Sequence, residues 1–394
     1  MIYDFDHVWH RKNTGSIKWD GLEKLFGDAD LLPMWVADMD FKVPQPVIDA
    51  LKQQANHGIF GYTIRPESYN EAVAQWFSRR HNFQIEKDWL VFTPGVVPAL
   101  SMIVQTFTEP GDKIIIQPPV YYPFSNVVKR QQRKLVENPL TFDGERYTMD
   151  FVDLERKIDP DVKMLILCSP HNPVGRVWTA EELHQLGELC VKHNILVVAD
   201  EIHGDLVRKG YRHTPFASLS ETFAQQSITC TAPSKTFNLA GLQASHVIIP
   251  NERHRRAFKA TINTLGLGLP NTFAIAAVEA AYRHGEDWLR QLLDYLEANI
   301  QFLTSYIEQN IPQIKVIQPE GTYLVWLDCR SLNLNAKQLQ TLMQKEAKVA
   351  LDEGAIFGTG GAGFERINVA CPRSTLEEGL KRIKKAVKRA EAIQ

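Results

Sequence analysis

At 394 residues the chain is long enough for two domains, or for one large domain with an appendage. Hydrophobic residues make up 44% and charged residues 23%, and a formal charge of −2 gives no bulk reason to expect nucleic acid or a membrane as partner. The amino terminus lacks the apolar core of a signal peptide, and five scattered cysteines without a CxxC pair suggest neither zinc nor disulfides, so a cytoplasmic protein without a metal is expected.

From residue 46 to 284, short apolar runs alternate with helix-like stretches. Thr93-Pro-Gly-Val-Val-Pro-Ala-Leu100 places a glycine before a helix, which would turn the amides of Gly95, Val96 and Val97 toward an anion. Alone, that is an ordinary turn. Lys113–Gln117, Met164–Cys168 and Ile195–Ala199 read as buried strands. Between the first two, Pro118-Pro-Val-Tyr-Tyr-Pro-Phe124 offers Tyr121 for stacking on a flat ring, although tyrosine more often simply packs. Between the last two lies a helical pattern with Thr179 as N-cap and Glu182 three residues on. Such alternation implies an α/β fold with a mostly parallel sheet, whose ligands sit at the carboxyl ends of the strands. Asn172, Asp200 and Lys235 all fall just past predicted strand ends.

After Gly285 the character changes. A long helix (288–309) precedes strands at 314–318 and 322–328, a helix near 336–347, a glycine-rich turn at 358–363, a strand at 366–370 and a basic amphipathic helix from Ser374. Residues 285–394 read as a smaller α+β domain.

Three motifs stand in fixed order: Pro-His-Asn-Pro-Val-Gly at 170–175, Asp200-Glu201 ending an apolar strand, and Ser234-Lys-Thr-Phe-Asn-Leu-Ala-Gly-Leu242. Asn172 and Asp200 are 28 residues apart, and Asp200 and Lys235 are 35 apart. With Arg366, this pattern resembles the pyridoxal 5'-phosphate (PLP) enzymes of the aspartate aminotransferase-like fold (fold type I) over nearly the whole chain. Lys18-Trp19-Asp20, Trp35-Val-Ala-Asp-Met-Asp-Phe41 and Arg366-Ile-Asn-Val-Ala-Cys-Pro-Arg-Ser374 are similar to the MalY/PatB group of cystathionine β-lyases, or C–S lyases.

Each role has a physical reason. A lysine amine condenses with an aldehyde, which suits Lys235. A carboxylate at Asp200 beside a ring nitrogen favours the protonated ring. The Asn172 amide can donate to a ring oxygen from a rigid turn, and Ser234 can complete a phosphate cradle with Gly95, Val96 and Val97. Arg366 offers a planar, bidentate partner for an α-carboxylate.

The resemblance implies these same assignments, with Tyr121 as the stacking ring and Ala37 joining Asn172 and Arg366 on the substrate side. It implies a homodimer with shared active sites, in which Tyr62 reaches the neighbour's phosphate. It groups residues 1–45 with 285–394 as the small domain and leaves 46–284 as the PLP-binding one. Two positions depart from the aminotransferase pattern. Gln243 stands where an arginine often binds phosphate, leaving more of the anion to the amides, Ser234, Tyr62 and Thr231. His203 stands where a tyrosine often supports the ring oxygen. The implied activity is α,β-elimination of L-cystathionine, or of related cysteine thioethers, to thiol, pyruvate and ammonia. The alternative is an aminotransferase on the same scaffold, since both reactions begin with loss of the Cα proton.

Overall fold

The structure, a computed structural model, describes residues 1–392. Seven strands form its central sheet: β1 (Leu90–Thr93), β2 (Lys113–Ile116), β3 (Lys134–Glu137), β4 (Val162–Cys168), β5 (Leu196–Asp200), β6 (Ser227–Thr231) and β7 (Ser245–Ile248). Their order is β1-β7-β6-β5-β4-β2-β3, and only β7 runs antiparallel to its neighbours.

The inner strands β2, β4 and β5 are mostly apolar because both faces are covered. Ile114, Ile116, Met164, Ile166 and Val198 enter one core, while Ile115, Leu165, Leu167, Val197 and Ala199 enter another on the opposite face. Five helices matter for the site that follows: α1 (Gln45–His57), α2 (Glu67–His81), α3 (Val96–Phe107), α4 (Ala180–Lys192) and α5 (Pro233–Thr236). The expected cap on α4 is present: Thr179 accepts from the Glu182 amide at 3.2 Å, and Glu182 accepts from the Thr179 amide at 2.9 Å. Its Leu183, Leu186 and Cys190 face the core.

Beyond α6 (Glu286–Asn310), a second sheet is built from β8 (Lys315–Ile317), β9 (Leu324–Asp328), β10 (Asp352–Glu353) and β11 (Phe364–Asn368). Its order is β8-β9-β11-β10 and all pairs are antiparallel. The closing helix α7 (Arg373–Glu391) buries Leu376, Leu380, Ile383 and Val387 against α6. The amino-terminal segment packs here too: Leu32–Pro33 pairs in parallel with Val349–Ala350, and Phe5 meets Trp288 and Tyr295.

Two expectations shift. The helix near 336–347 is regular only over Ala336–Thr341 and continues as a π-turn through Leu342–Glu346. The strand expected at 366–370 lies at 364–368, because Phe364 and Glu365 pair with Asp328 and Leu327. Ala370 instead bonds Asn368 Oδ1, and its carbonyl accepts from the Asp40 amide. Among the described residues no helix is long and apolar enough to cross a membrane.

Candidate active site

The carboxyl ends of β4, β5 and β6 open into a cavity of about 240 Å³. It is lined by Ala37, Gly95, Val96, Val97, Tyr121, Asn172, Asp200, His203, Ser234, Lys235 and Arg366, so the residues singled out from sequence converge there, Tyr62 excepted. Tyr62 is 98% exposed, in the irregular segment between α1 and α2. Thr231 is buried in β6 and is not part of the lining.

Asp200 is the last residue of β5, in register with Cys168 on one side and Cys230 on the other. It is buried, and among the described residues its carboxylate accepts one hydrogen bond, from the Ile202 amide at 3.2 Å. Burial pushes its carboxyl up to about 7, against the pull of that amide and of Lys235. It is a buried acid with no cation in contact.

Lys235 rides on α5, a single turn. Thr236 Oγ1 donates to Asp205 Oδ2 at 2.8 Å, and the same carboxylate accepts from Trp76 Nε1 and pairs with His81 and Arg80 of α2. Asp205 therefore ties the lysine's turn to α2. Lys235 Nζ donates to the Ala37 carbonyl at 2.6 Å. The side chain is half-buried where it borders the cavity. Its deep setting lowers the amine to about 8; Arg366 reinforces the shift, while Asp38 and Asp200 oppose it. The same burial, with Lys235 and Arg366 nearby, lowers the His203 imidazole to about 3, so it is neutral. His203 Nδ1 is buried without a partner.

The Asn172 loop is fixed at several points. The His171 amide donates to the Arg176 carbonyl, His171 Nε2 meets the Pro119 carbonyl at 2.9 Å, and Trp178 Nε1 donates to the Cys168 carbonyl at 2.9 Å. Gly175 has φ +74, and a Cβ there would lie 2.7 Å from Pro319, so the loop's approach to the second sheet requires glycine.

Arg366 comes from β11 of that sheet. It is buried and donates to Asn172 Oδ1 at 2.8 Å, to the Trp35 carbonyl at 3.1 Å and to Asp352 Oδ2. With Oδ1 so engaged, Asn172 Nδ2 finds no acceptor among the described residues.

The opposite wall is the irregular segment Trp35–Phe41. The motif's carboxylates explain its place here. Lys18, 1% exposed, pairs with Asp40 at 2.8 Å and Asp38 at 3.5 Å. Arg11 pairs with both carboxylates, and Trp19 Nε1 donates to Asp40 at 3.0 Å. Asn238 also bonds the backbone of Met39 and Phe41, Asn368 donates to the carbonyls of Val36 and Asp38, and Tyr323 donates to the Ala37 carbonyl. The strap is thus pinned by ion pairs at its carboxylates and by side-chain hydrogen bonds along its backbone. Ala37's carbonyl is held against Lys235 as a result.

The donor set fits the expected PLP. At the start of α3, a twelve-residue helix, no side chain caps the first turn, and the amides of Gly95, Val96 and Val97 have no acceptor among the described residues. These, with Ser234 alongside, suit a phosphate. Across the cavity, uncompensated Asp200 suits a ring cation, and Asn172 Nδ2 suits a ring oxygen.

Comparison with known proteins points the same way. The profile of the family described as "Aminotransferase class I and II" matches residues 29–383. The chain is 49% identical to cystathionine beta-lyase PatB of Bacillus subtilis, over 98% of this chain and 100% of that protein. It is 35% identical to protein MalY of Escherichia coli, over 96% and 97%. Among solved structures, a PLP-bound putative aminotransferase from Clostridium difficile superimposes with a TM-score of 0.97 at 49% identity, covering 98% of this chain and 100% of that one.

Proposed function

This chain belongs to the class I and II aminotransferase family, and on that premise we propose that it is a PLP-dependent carbon–sulfur β-lyase. It eliminates thiol from cysteine thioethers, L-cystathionine foremost, leaving pyruvate and ammonia. The observation that carries the reading is one cavity holding a lysine of lowered basicity, an uncompensated buried aspartate and a buried arginine. Full-length identity to PatB supports elimination over transamination.

Residues 46–284 form the cofactor-holding domain, and 1–45 with 285–394 form the smaller one. Gly95, Val96, Val97 and Ser234 would hold the phosphate, Tyr121 would pack against the ring, Asn172 and His203 would serve the ring oxygen, and Asp200 would favour the protonated ring nitrogen. When bound, PLP supplies an electron sink for the charge left at the substrate's Cα. Arg366 grips the α-carboxylate, and Ala37 borders the substrate. Lys235 Nζ would hold the cofactor's aldehyde carbon, and its basicity, lowered to about 8, suits the same amine to take the proton from the substrate's Cα. The Ala37 carbonyl, 2.6 Å away, then fixes where that amine sits. Neutral His203 adds no charge to compete with Asp200.

Tyr62, with Ile59, Phe60 and Ile64, forms an exposed apolar stretch, which supports a homodimer lending Tyr62 to the neighbour's phosphate. The cytoplasm is the proposed setting. The test is to supply L-cystathionine without a keto acid. Pyruvate and thiol released in equal amounts are expected, whereas turnover only on adding a keto acid would establish transamination instead.

A further inference from the structure

Four charged side chains line the cavity: Lys235, Arg366, Asp200 and Asp352. Three have roles above. Asp352 stands directly opposite Arg366 in the β10–β11 ladder, so both side chains lie on one face of the second sheet. It is 8% exposed, and its Oδ2 accepts from Arg366 Nη2. Its Oδ1 receives no hydrogen bond from the described residues, and the residue lines the cavity. Toward the mouth stands Tyr122, 40% exposed, whose phenol is raised by burial and by Asp352's charge. Tyr121 is raised too, by burial first, then by Tyr122 and Asp200, with Asp352 the smallest contributor. No further cation lines this side.

The arrangement has an electrostatic consequence. Arg366 already has a carboxylate beside it, so the pair presents no net positive charge to the substrate's far end. When an entering α-carboxylate takes Arg366, Asp352 loses part of its counter-charge in a site where charges are weakly screened. A cation arriving next to it restores the balance; a second anion worsens it.

Resting on the lyase reading, we infer that Asp352 is a specificity residue that selects thioether substrates by the charge of their far end, favouring an ammonium, admitting a neutral alkyl group and rejecting a carboxylate. Cystathionine and cystine carry an ammonium beside their distal carboxylate, so their far ends are zwitterionic and not anionic. An amino acid with a bare distal carboxylate carries no ammonium there, which separates this pocket from one built for aspartate.

Three thioethers of similar size isolate the effect: S-(2-aminoethyl)-L-cysteine, S-ethyl-L-cysteine and S-(carboxymethyl)-L-cysteine, with distal ends positive, neutral and negative. They are compared on PLP-loaded wild type and Asp352→Asn, which keeps an oxygen able to accept from Arg366. Two readouts are taken: kcat/KM for pyruvate release, and Kd from titrating the bound cofactor's visible spectrum. Wild type is expected to prefer the positive over the neutral compound by about tenfold and the neutral over the negative by a similar factor, typical of one poorly screened charge pair. Asp352→Asn is expected to bring all three within about threefold of one another. Equal losses for all three would reduce Asp352 to a brace for Arg366 and overturn the inference, as would an unaltered order. If no compound yields pyruvate on wild type, the lyase reading fails, while the Kd order still tests Asp352 by itself.

Discussion

On one side of the cavity, Asn172, Asp200 and Lys235 lie within four residues of the ends of three adjacent parallel strands. On the other, Trp35–Phe41 has no ladder of its own and is held through its Asp38 and Asp40 by Lys18 and Arg11, and at its backbone by Asn238, Asn368 and Arg366. The first wall takes its position from the sheet, whose backbone geometry sets where each side chain emerges. The second depends on individual ionic and amide contacts between residues distant in sequence. Loss of a side chain should therefore spare the fold on the first wall and damage it on the second.

Lys235→Ala is the extreme case. Turnover should fall by about 10⁴-fold or more, as expected on losing a positioned acid–base group as well as the covalent anchor. The visible absorbance of lysine-bound cofactor should vanish while circular dichroism and Tm stay near wild type. Asp40→Ala should do the reverse. Lys18 stays buried with only the more distant Asp38, and removing one partner of a buried pair costs about 3–5 kcal/mol, read from denaturant midpoints. If Asp40→Ala proves as stable as wild type, the contrast between the walls fails.

A subtler test uses pH. Asp200's carboxyl is raised to about 7 in the folded chain, so between the ordinary carboxylate range and pH 7 the unfolded chain sheds a proton that the folded one keeps. Stability of cofactor-free protein should fall as pH rises through that window. Lys235, lowered to about 8, acts in the opposite sense, adding stability from about pH 8 upward to its ordinary value. Thermal scans from pH 4 to 10 should show the dip in cofactor-free protein. Asp200→Asn should remove its acid limb.

Glu365 gives the smallest effect. It sits on β11 next to Arg366, 2% exposed, with Oε1 unpartnered, and faces Glu353 across the ladder. Burial, with Glu353 and Asp352 nearby, holds its carboxyl well above its usual range. The penalty is absent below the ordinary glutamate range and grows as pH rises, so Glu365→Gln should stabilise by about 1 kcal/mol near pH 8 and by nothing near pH 4.

The two walls also differed in how far they could be read from residues alone. Buried parallel strands announce themselves as apolar runs, and ligands gather at their carboxyl ends, so Asn172, Asp200 and Lys235 were placed from periodicity and spacing. Thr179 and Glu182 located a helix start for the same local reason. Lys18 carried no such signal. A lysine near the amino terminus reads as solvated until Asp38 and Asp40 are known to fold beneath it. Asp352 was likewise missed: two residues of strand before a glycine have no period, and only the β10–β11 register sets it against Arg366. The frame shift of β11 has a similar cause, because its limits follow from pairing with β9 and not from its own composition.

The central claim is that Lys235, and no other lysine, bonds the cofactor within this cavity. Reducing the PLP-loaded protein with borohydride and mapping its peptides by mass spectrometry tests it directly. The account predicts a single pyridoxyl group on the peptide carrying Lys235. A pyridoxyl group on another lysine, or none on a protein that still turns over cystathionine, would contradict it.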